Sequence, residues 1–280
     1  GVYRLMRGSA AVITHGRWDL AFHPEAVPDS LVVVHSGHGN GVMHSKHHSP
    51  EEVRAAQQAI SDKCDKWITT SPFVRDIRLK RLSVGDNVER AREQIGVEWV
   101  STGYPRNDLV LDPPEERIRQ GESFIGGANP EAVVLYAPTI HYDVDGNIIA
   151  PKFFPFDDFD LKELDAFLDD NDVVVLIRPH PEDVNRMEDG HSESYAVLRE
   201  RIAELLDCSE NIRLASQNEI GDTSTLLPFT DILMTDYSSI YHHFLLLDRP
   251  IFFVPYDFDT YRQHRGFAYD YYEHMPGPEF

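Results

Sequence analysis

The stretch "DILMTDYSSIYHHFLLLDRPIFFV", residues 231–254, is the clearest indication of the fold class. Two short apolar runs, 231–235 and 250–254, flank a segment whose apolar residues recur at helical spacing. A strand, a helical connection and a second strand form the unit from which parallel sheets are built. The stretch therefore predicts a wound α/β sheet.

The same alternation of short β-branched runs and helical patterns continues along most of the chain. Several of the runs are continuously apolar, as strands buried on both faces are. The predicted strands are 11–14, 31–35, 67–70, 97–101, 132–137, 173–178, 211–215, 231–235 and 250–254. Helices are predicted over 49–61, 161–168 and 193–206, and Ser49 and Pro50 start the first of them.

The length of 280 residues suits two domains of ordinary size. Segment 111–132 is charged and rich in proline and glycine, which predicts a linker. We expect two Rossmann-like α/β domains, 1–118 and 130–280, with ligands bound in a cleft between the carboxyl ends of both sets of strands. The strand-like start and the end without a closing helix predict a fragment whose N-terminal domain is truncated.

The composition excludes several classes of protein. The formal net charge is −21, with 47 acidic against 26 basic residues, so the basic footprint of a nucleic-acid-binding protein is missing. An acidic, lysine-poor surface favours a salt-adapted soluble protein. Cys64 and Cys208 lie far apart and outside any CxxC, which predicts reduced thiols. No leader or membrane span is visible, so we expect a cytoplasmic location.

Two polar side chains follow the strand at 173–178, in "RPHPED". The planar fork of Arg178 suits phosphate, and His180 can donate to a phosphate oxygen or move a proton. Pro179 and Pro181 stiffen this loop. The alternative for Arg178 is a structural ion pair with one of the many acids.

Asp236, Ser238 and Ser239 follow the strand at 231–235 and precede a predicted helix. Hydroxyls and free N–H groups at such a turn favour an anionic phosphate, although an ordinary N-cap is the alternative. Arg106 in "TGYPRND" and Arg265 in the aromatic segment 250–278 are further candidates for phosphate contact, since long irregular segments are often functional.

The stretch "LVVVHSGHGNGVMHSKHHS", residues 31–49, is rich in histidine and glycine. It could be a zinc site, a loop that carries one catalytic histidine, or a solvated polar loop. The glycines disfavour the helix that would align the histidines, and no acid or cysteine joins them. We therefore predict no metal site. The histidines concerned are His35, His38, His44, His47 and His48.

Five motifs together resemble, in their order, the CDP-glycerol glycerophosphotransferase family, which builds poly(glycerol phosphate) and other teichoic-acid-type wall polymers. They are "TGYPRND", "APT" (137–139), "RPHP", "TDYSSIYHHFLLLDRPIFFVPYD" and "RGFAYDYYEHMPGP". The resemblance runs from about residue 10 to residue 278. It implies a GT-B-like fold of two Rossmann-like domains facing each other across a cleft, without an essential metal or a cofactor.

The resemblance also implies a reaction and a set of residues. Glycerol phosphate, or a related polyol phosphate, passes from a CDP-linked donor to a hydroxyl acceptor, and CMP is released. His38 matches the base in the family's Trp-His-Gly-Thr segment, although Gly37 and Asn40 replace the tryptophan and threonine. The other implied site residues are His180 in catalysis and, for the donor phosphates, Arg178, Asp236, Ser238, Ser239, Arg106 and Arg265.

The implied acceptor is a lipid-linked or glycan hydroxyl, which places the protein peripherally at the inner face of the cell membrane. Two alternatives stay open. A GT-B glycosyltransferase or nucleotide-sugar epimerase shares the fold but acts on a UDP-sugar. A catalytically silent nucleotide-binding relative is the other, because the loop around His38 departs from the family pattern.

Overall fold

The computed structural model describes residues 11–14, 31–36, 51, 55, 58, 64–81, 87–126, 130–143, 145, 147–151, 156, 159–190 and 192–278. The chain divides into two compact units, Gly1–Pro105 and Arg106–Phe280. The division lies earlier in the chain than the predicted linker.

The first unit is built on a parallel sheet. Its elements are β1 Ala11–Thr14, β2 Val32–His35, β3 Lys66–Thr69, α1 Pro72–Arg81, α2 Val88–Ile95 and β4 Glu98–Ser101. The four strands pair in the order β1-β2-β3-β4. Of the predicted helix 49–61, the structure describes Glu51, Ala55 and Gln58, which are helical.

The core of the first unit forms around Trp67 on β3, which is 4% exposed. The Trp67 ring stacks on the Trp99 ring of β4 with centroids 4.6 Å apart, because the strand register places the two residues side by side. Leu79 of α1 and Ile95 of α2 pack into the same cluster. The two helices therefore cover this face of the sheet.

The second unit is built on a larger parallel sheet. Its strands are β5 Ala132–Tyr136, β8 Val173–Ile177, β9 Ile212–Leu214, β10 Ile232–Thr235 and β11 Ile251–Phe253, with a small hairpin of β6 His141–Tyr142 and β7 Ile148–Ile149. The five strands of the sheet pair in the order β11-β10-β5-β8-β9. The helices of this unit are α3 Asp108–Leu111, α4 Glu115–Ile125, α5 Leu161–Asp170, α6 Pro181–Asp189, α7 Glu193–Cys208, α8 Tyr241–Phe244, α9 Phe258–His264 and α10 Tyr271–His274.

The central strands of this sheet, β5 and β8, are almost wholly apolar because both faces of the sheet are covered. Four of the five residues of β8 are buried. On one face, α5, α6 and α7 contribute apolar side chains to a single cluster that includes Leu168, Val184 and Leu198. Burial of this kind stabilises the sheet by about 1.5–3 kcal/mol for each large apolar side chain.

The predicted linker, 111–132, contains helix α4. Gly126 ends this helix in the left-handed conformation at φ 87°. Gly121 packs so closely against the Phe229 ring that an added Cβ would lie 2.2 Å from it. The prediction of a linker is therefore wrong for 115–125, which packs as part of the second unit.

Each predicted strand is present within one or two residues of its predicted bounds. Among the described residues, no helix combines the length and the apolar character needed to cross a membrane.

Candidate active site

Five of the predicted site residues follow the carboxyl ends of two strands of the second unit: Arg178 and His180 come after β8, and Asp236, Ser238 and Ser239 come after β10. From β5 the chain winds outward through β8 and β9, and it then winds in the opposite direction through β10 and β11. The switch point therefore lies between β5 and β10, where doubly wound sheets bind ligands. The loop after β5 carries Thr139 and leads into His141, the first residue of β6, and the loop after β10 begins at Asp236.

Asp236 joins these two loops. Its side chain is 1% exposed, and both carboxylate oxygens accept from the backbone N–H of Thr139, at 2.8 and 3.0 Å. Oδ1 also accepts from the backbone N–H of Ser238 at 3.2 Å. Hydrogen bonds of this kind fix the turn that follows β10.

His141 is buried between two carboxylates. Its Nε2 lies 3.0 Å from Oδ2 of Asp236, and its Nδ1 lies 3.0 Å from Oδ2 of Asp257. Burial opposes protonation of the ring, but the hydrogen bonds and charges of the two carboxylates raise its pKa to about 9. His141 is therefore an imidazolium at neutral pH. The pKa of Asp257 is lowered, since these interactions outweigh its burial.

Sequence reasoning missed both His141 and Asp257. His141 comes shortly after the motif "APT", and Asp257 lies in "VPYD", so each residue lies a few positions beyond the end of a strand, β5 or β11. A search for polar residues just beyond the ends of these two strands would have identified both.

Ser238 and Ser239 lie half-buried in the turn after β10. The Ser239 carbonyl accepts from the backbone N–H of His242 at 3.3 Å. The helix that follows, α8, has four residues and continues as a 3-10 turn over Leu245–Leu247. The two hydroxyls therefore start a short helix, beside the N–H groups that Asp236 has oriented.

His180 follows β8 and forms the N-cap of α6. Its Nδ1 accepts from the backbone N–H of Glu182 at 3.2 Å. Because Nδ1 is the acceptor, the neutral ring carries its proton on Nε2. Burial lowers the pKa of His180, although the charges of Glu182 and Asp236 oppose this effect. The side chain is thus a neutral N–H donor at the edge of the sheet.

Arg178 is buried, and its guanidinium binds the loop that follows β9. Nη1 donates to the carbonyls of Ala215 at 2.7 Å and Ile220 at 2.6 Å. Nη2 donates to the carbonyl of Gly221 at 2.9 Å, and Nε donates to Oγ1 of Thr223 at 3.2 Å. These four contacts occupy four of the five N–H groups of an arginine, so the main role of Arg178 in the fold is to hold this loop.

Arg106 is exposed in the 3-10 turn Pro105–Asn107. The next residue, Asn107, accepts through Oδ1 from Nδ1 of His243 at 2.7 Å. Burial, and then the charge of Arg106, lower the pKa of His243 to about 4, so the ring is neutral and donates this bond. The contact joins the "PRN" turn to α8, and through α8 to the turn at Ser239.

Arg265 lies against Tyr142, the second residue of β6. Its guanidinium carbon is 4.0 Å from the centroid of the Tyr142 ring, which is the geometry of a cation–π contact. The aromatic segment that carries Arg265 packs on Tyr237, whose ring stacks on that of Tyr261 at 4.0 Å. The structure therefore brings Arg265 to the same edge of the sheet as Asp236.

The proposed base, His38, lies outside the described residues, as do His44, His47 and His48. His35 is described: it ends β2, is buried and packs edge-on against Trp67 with centroids 4.5 Å apart. Within the described part of the chain, no cluster of histidine, cysteine and acidic residues could hold a metal ion.

Comparison with known proteins identifies the family. The family described as CDP-Glycerol:Poly(glycerophosphate) glycerophosphotransferase matches residues 2–280. The teichoic acid poly(glycerol phosphate) polymerase of Bacillus subtilis (strain 168) is 34% identical over 189 residues, which are 66% of this chain and 22% of that protein. The teichoic acid glycerol-phosphate transferase of Staphylococcus aureus (strain NCTC 8325 / PS 47) is 33% identical over 227 residues, 78% of this chain and 48% of that protein.

Among solved structures, the wall teichoic acid polymerase TagF matches with a TM-score of 0.64 and 21% sequence identity, over 97% of this chain and 60% of that chain. The likeness confirms the predicted α/β, GT-B-like fold class. The chain spans between about a fifth and three fifths of the length of these relatives.

Proposed function

The chain belongs to the CDP-glycerol:poly(glycerophosphate) glycerophosphotransferase family, and on that premise we propose that it transfers a polyol phosphate from a CDP-linked donor to a hydroxyl acceptor. Glycerol phosphate is the proposed group, and CMP is the leaving group. The proposed process is the synthesis of a teichoic-acid-type polymer of the cell envelope.

One observation supports the proposal most. The loops on either side of the switch point, after β5 and β10, are joined by Asp236, which orients the backbone around Ser238 and Ser239. His180 and Arg265 lie at the same carboxyl edge. An edge with hydroxyls, a neutral histidine N–H and an arginine suits the oxygens of a pyrophosphate.

The proposed chemistry is an attack by the acceptor hydroxyl on the phosphorus that bears glycerol. The new P–O bond forms as the P–O bond to CMP breaks, and the hydroxyl proton passes to the base, His38. Charge develops on the phosphate oxygens, so positioning and electrostatic stabilisation count for more than covalent catalysis. This chemistry needs no cofactor, and the CDP-linked donor takes part as a substrate.

The described residues have distinct roles in this proposal. His180 donates its Nε2–H to a phosphate oxygen, and Ser238 and Ser239 contribute hydroxyls. Arg265 adds positive charge beside β6, and Arg106 contributes from the "PRN" turn. Asp236 orients the turn rather than touching phosphate, because a carboxylate repels it. Arg178 holds the loop after β9 and has one N–H group left for the donor.

The relatives support the choice of donor. The two similar proteins above are a poly(glycerol phosphate) polymerase and a glycerol-phosphate transferase, and one TagF structure follows a soak with CDPG. We propose a lipid-linked or glycan hydroxyl as acceptor, reached at the cytoplasmic face of the membrane.

The test is a donor screen with a lipid-linked glycerol phosphate acceptor. CDP-glycerol, CDP-ribitol and several UDP-sugars are compared, and the released nucleotide is quantified. We expect turnover of a CDP-polyol and its loss in His38→Ala. Turnover of UDP-sugars alone would assign the chain to sugar transfer, and nucleotide binding without turnover of any donor would make it a silent relative.

A further inference from the structure

Three loops meet around the ring of His141, at the carboxyl ends of β5, β10 and β11. His141 is the first residue of β6, where the first loop ends, while Asp236 lies in the second loop and Asp257 in the third. Each ring nitrogen lies 3.0 Å from a carboxylate oxygen. A neutral histidine has only one N–H, so donation to both carboxylates requires both nitrogens to carry protons. The geometry is that of a cationic bridge between two loops.

We propose that His141 is a positioning residue, which holds the turn at residues 236–239 in the geometry that receives the donor by bridging Asp236 and Asp257. The proposal rests on the proposed function of this edge. It adds a residue that neither the sequence motifs nor the family match assigns.

The role is one of positioning because His141 does not face solvent. The residue is 2% exposed, and both of its ring nitrogens contact carboxylates of the protein. The Tyr256 ring stacks on the imidazole with centroids 5.5 Å apart, which fixes the plane of the ring. A movement of His141 acts on the donor site only through the side chains that it holds.

Asp236 connects the position of His141 to the turn at residues 236–239. One carboxylate oxygen, Oδ2, contacts His141, while Oδ1 accepts from the backbone N–H of Ser238. The same carboxylate accepts from the N–H of Thr139. If the carboxylate rotates, both N–H groups lose their common acceptor, and the turn at 236–239 loses its connection to the loop after β5.

The charge balance around the ring explains why a cation is needed there. A buried carboxylate and a half-buried one, without a cation between them, would repel each other, and burial of an unpaired charge is costly. The pKa of about 9 for the ring agrees with this geometry. The titratable or charged groups that face His141 are Asp236, Asp257, Tyr256, Tyr237 and Tyr261, with Asp183 of α6 at longer range.

The first test is independent of activity. Amide hydrogen exchange of 236–239 is compared in the wild type, in His141→Gln and in the control His274→Gln, which changes an exposed histidine of α10. We expect exchange in His141→Gln to be about tenfold faster or more, and unchanged in the control. If His141→Gln does not fold, Asp257→Asn replaces it, with a smaller increase expected. Native exchange in a folded variant overturns the proposal.

The second test separates positioning from a purely structural role. For His141→Gln we expect the KM for CDP-glycerol and the Kd for CDP to rise about tenfold or more, with a smaller change in kcat. Unchanged KM and Kd in the folded variant overturn the proposal. Because CDP binding is measured by calorimetry, it remains readable even if CDP-glycerol is not turned over, so failure of the proposed function is distinguished from failure of this inference.

Discussion

The backbone N–H of Glu182 donates a 3.2 Å hydrogen bond to Nδ1 of His180. One side chain therefore serves as the N-cap of α6 and as the candidate donor to phosphate. The cap fixes the tautomer, because an Nδ1 that accepts leaves the proton of the neutral ring on Nε2.

This relationship allows the two roles of His180 to be separated. Asparagine is a good N-cap, but its shorter side chain has no N–H donor at the position of Nε2–H. We expect His180→Asn to keep the thermal stability of the wild type and to lose CMP release by about a hundredfold or more. His180→Ala should lose activity to a similar extent and also about 1 kcal/mol of stability. Full activity in His180→Asn would show that the residue is only a cap.

Arg178 gives a second prediction. A lysine at this position keeps the charge but cannot reproduce four contacts in the plane of a guanidinium. We expect Arg178→Lys to destabilise the protein by about 1–3 kcal/mol, because carbonyls of 215–221 lose their donors. Hydrogen exchange should show loosening at 215–223. The control is Arg119→Lys on the exposed face of α4, where the side chain is 71% exposed and no effect is expected.

Gly121 tests whether α4 belongs to the second unit. A Cβ at this position would lie 2.2–2.8 Å from three carbon atoms of the Phe229 ring. We expect Gly121→Ala to destabilise the protein by about 1–3 kcal/mol in urea denaturation, and Phe229→Leu to restore part of the loss. Gly221→Ala is the control, since its Cβ would meet no atom within 4 Å. Equal stability of the two alanine variants would contradict the packing of α4.

The buried histidines predict how stability depends on pH. The pKa of His243 falls from 6.5 in the unfolded chain to about 4 on folding, through burial and the charge of Arg106. Its contribution to stability is therefore present above about pH 6.5 and is lost as pH falls towards 4. We expect the free energy of unfolding to fall by about 2 kcal/mol between about pH 7 and pH 5 because of this residue. His243→Gln should remove that part of the slope, and an unchanged slope would contradict it.

His141 gives the stability of the protein the opposite dependence on pH. Its pKa rises from 6.5 in the unfolded chain to about 9 on folding, because hydrogen bonds and charges from Asp236 and Asp257 outweigh burial. The stability that it contributes is complete below about pH 6.5 and is lost as pH rises through about 9. Together with His243, it places the expected maximum of stability near neutral pH.

The sequence predicted the sheets well because their strands are short apolar runs with clear ends. In β8, "VVVLI" needs no tertiary information to be assigned, since continuous burial requires a continuous apolar pattern. The prediction of a linker was wrong because it rested on the composition of the whole stretch. Its prolines and most of its glycines lie at or beyond the ends of α4, and "EERIRQGESFI" between them has helical character that the composition of the whole stretch conceals.

The site was predicted in part. The motifs located Asp236, Ser238 and His180 at strand ends, because parallel strands align their carboxyl ends without further information. They could not show that Arg178 faces the loop after β9, since the partners of a guanidinium are backbone carbonyls that carry no signature in sequence. His141 needed the structure as well, because its two carboxylate partners lie 95 and 116 residues away along the chain.

The identity of the released nucleotide distinguishes transfer of a phosphate-containing group from transfer of the glycerol carbon alone. The full chain is incubated with CDP-glycerol and a lipid-linked glycerol phosphate acceptor, and the nucleotide products are separated by anion-exchange chromatography. Cleavage at the phosphorus that bears glycerol releases CMP, which is the result that we predict. Release of CDP would place the cleavage at the glycerol carbon and exclude transfer of glycerol phosphate.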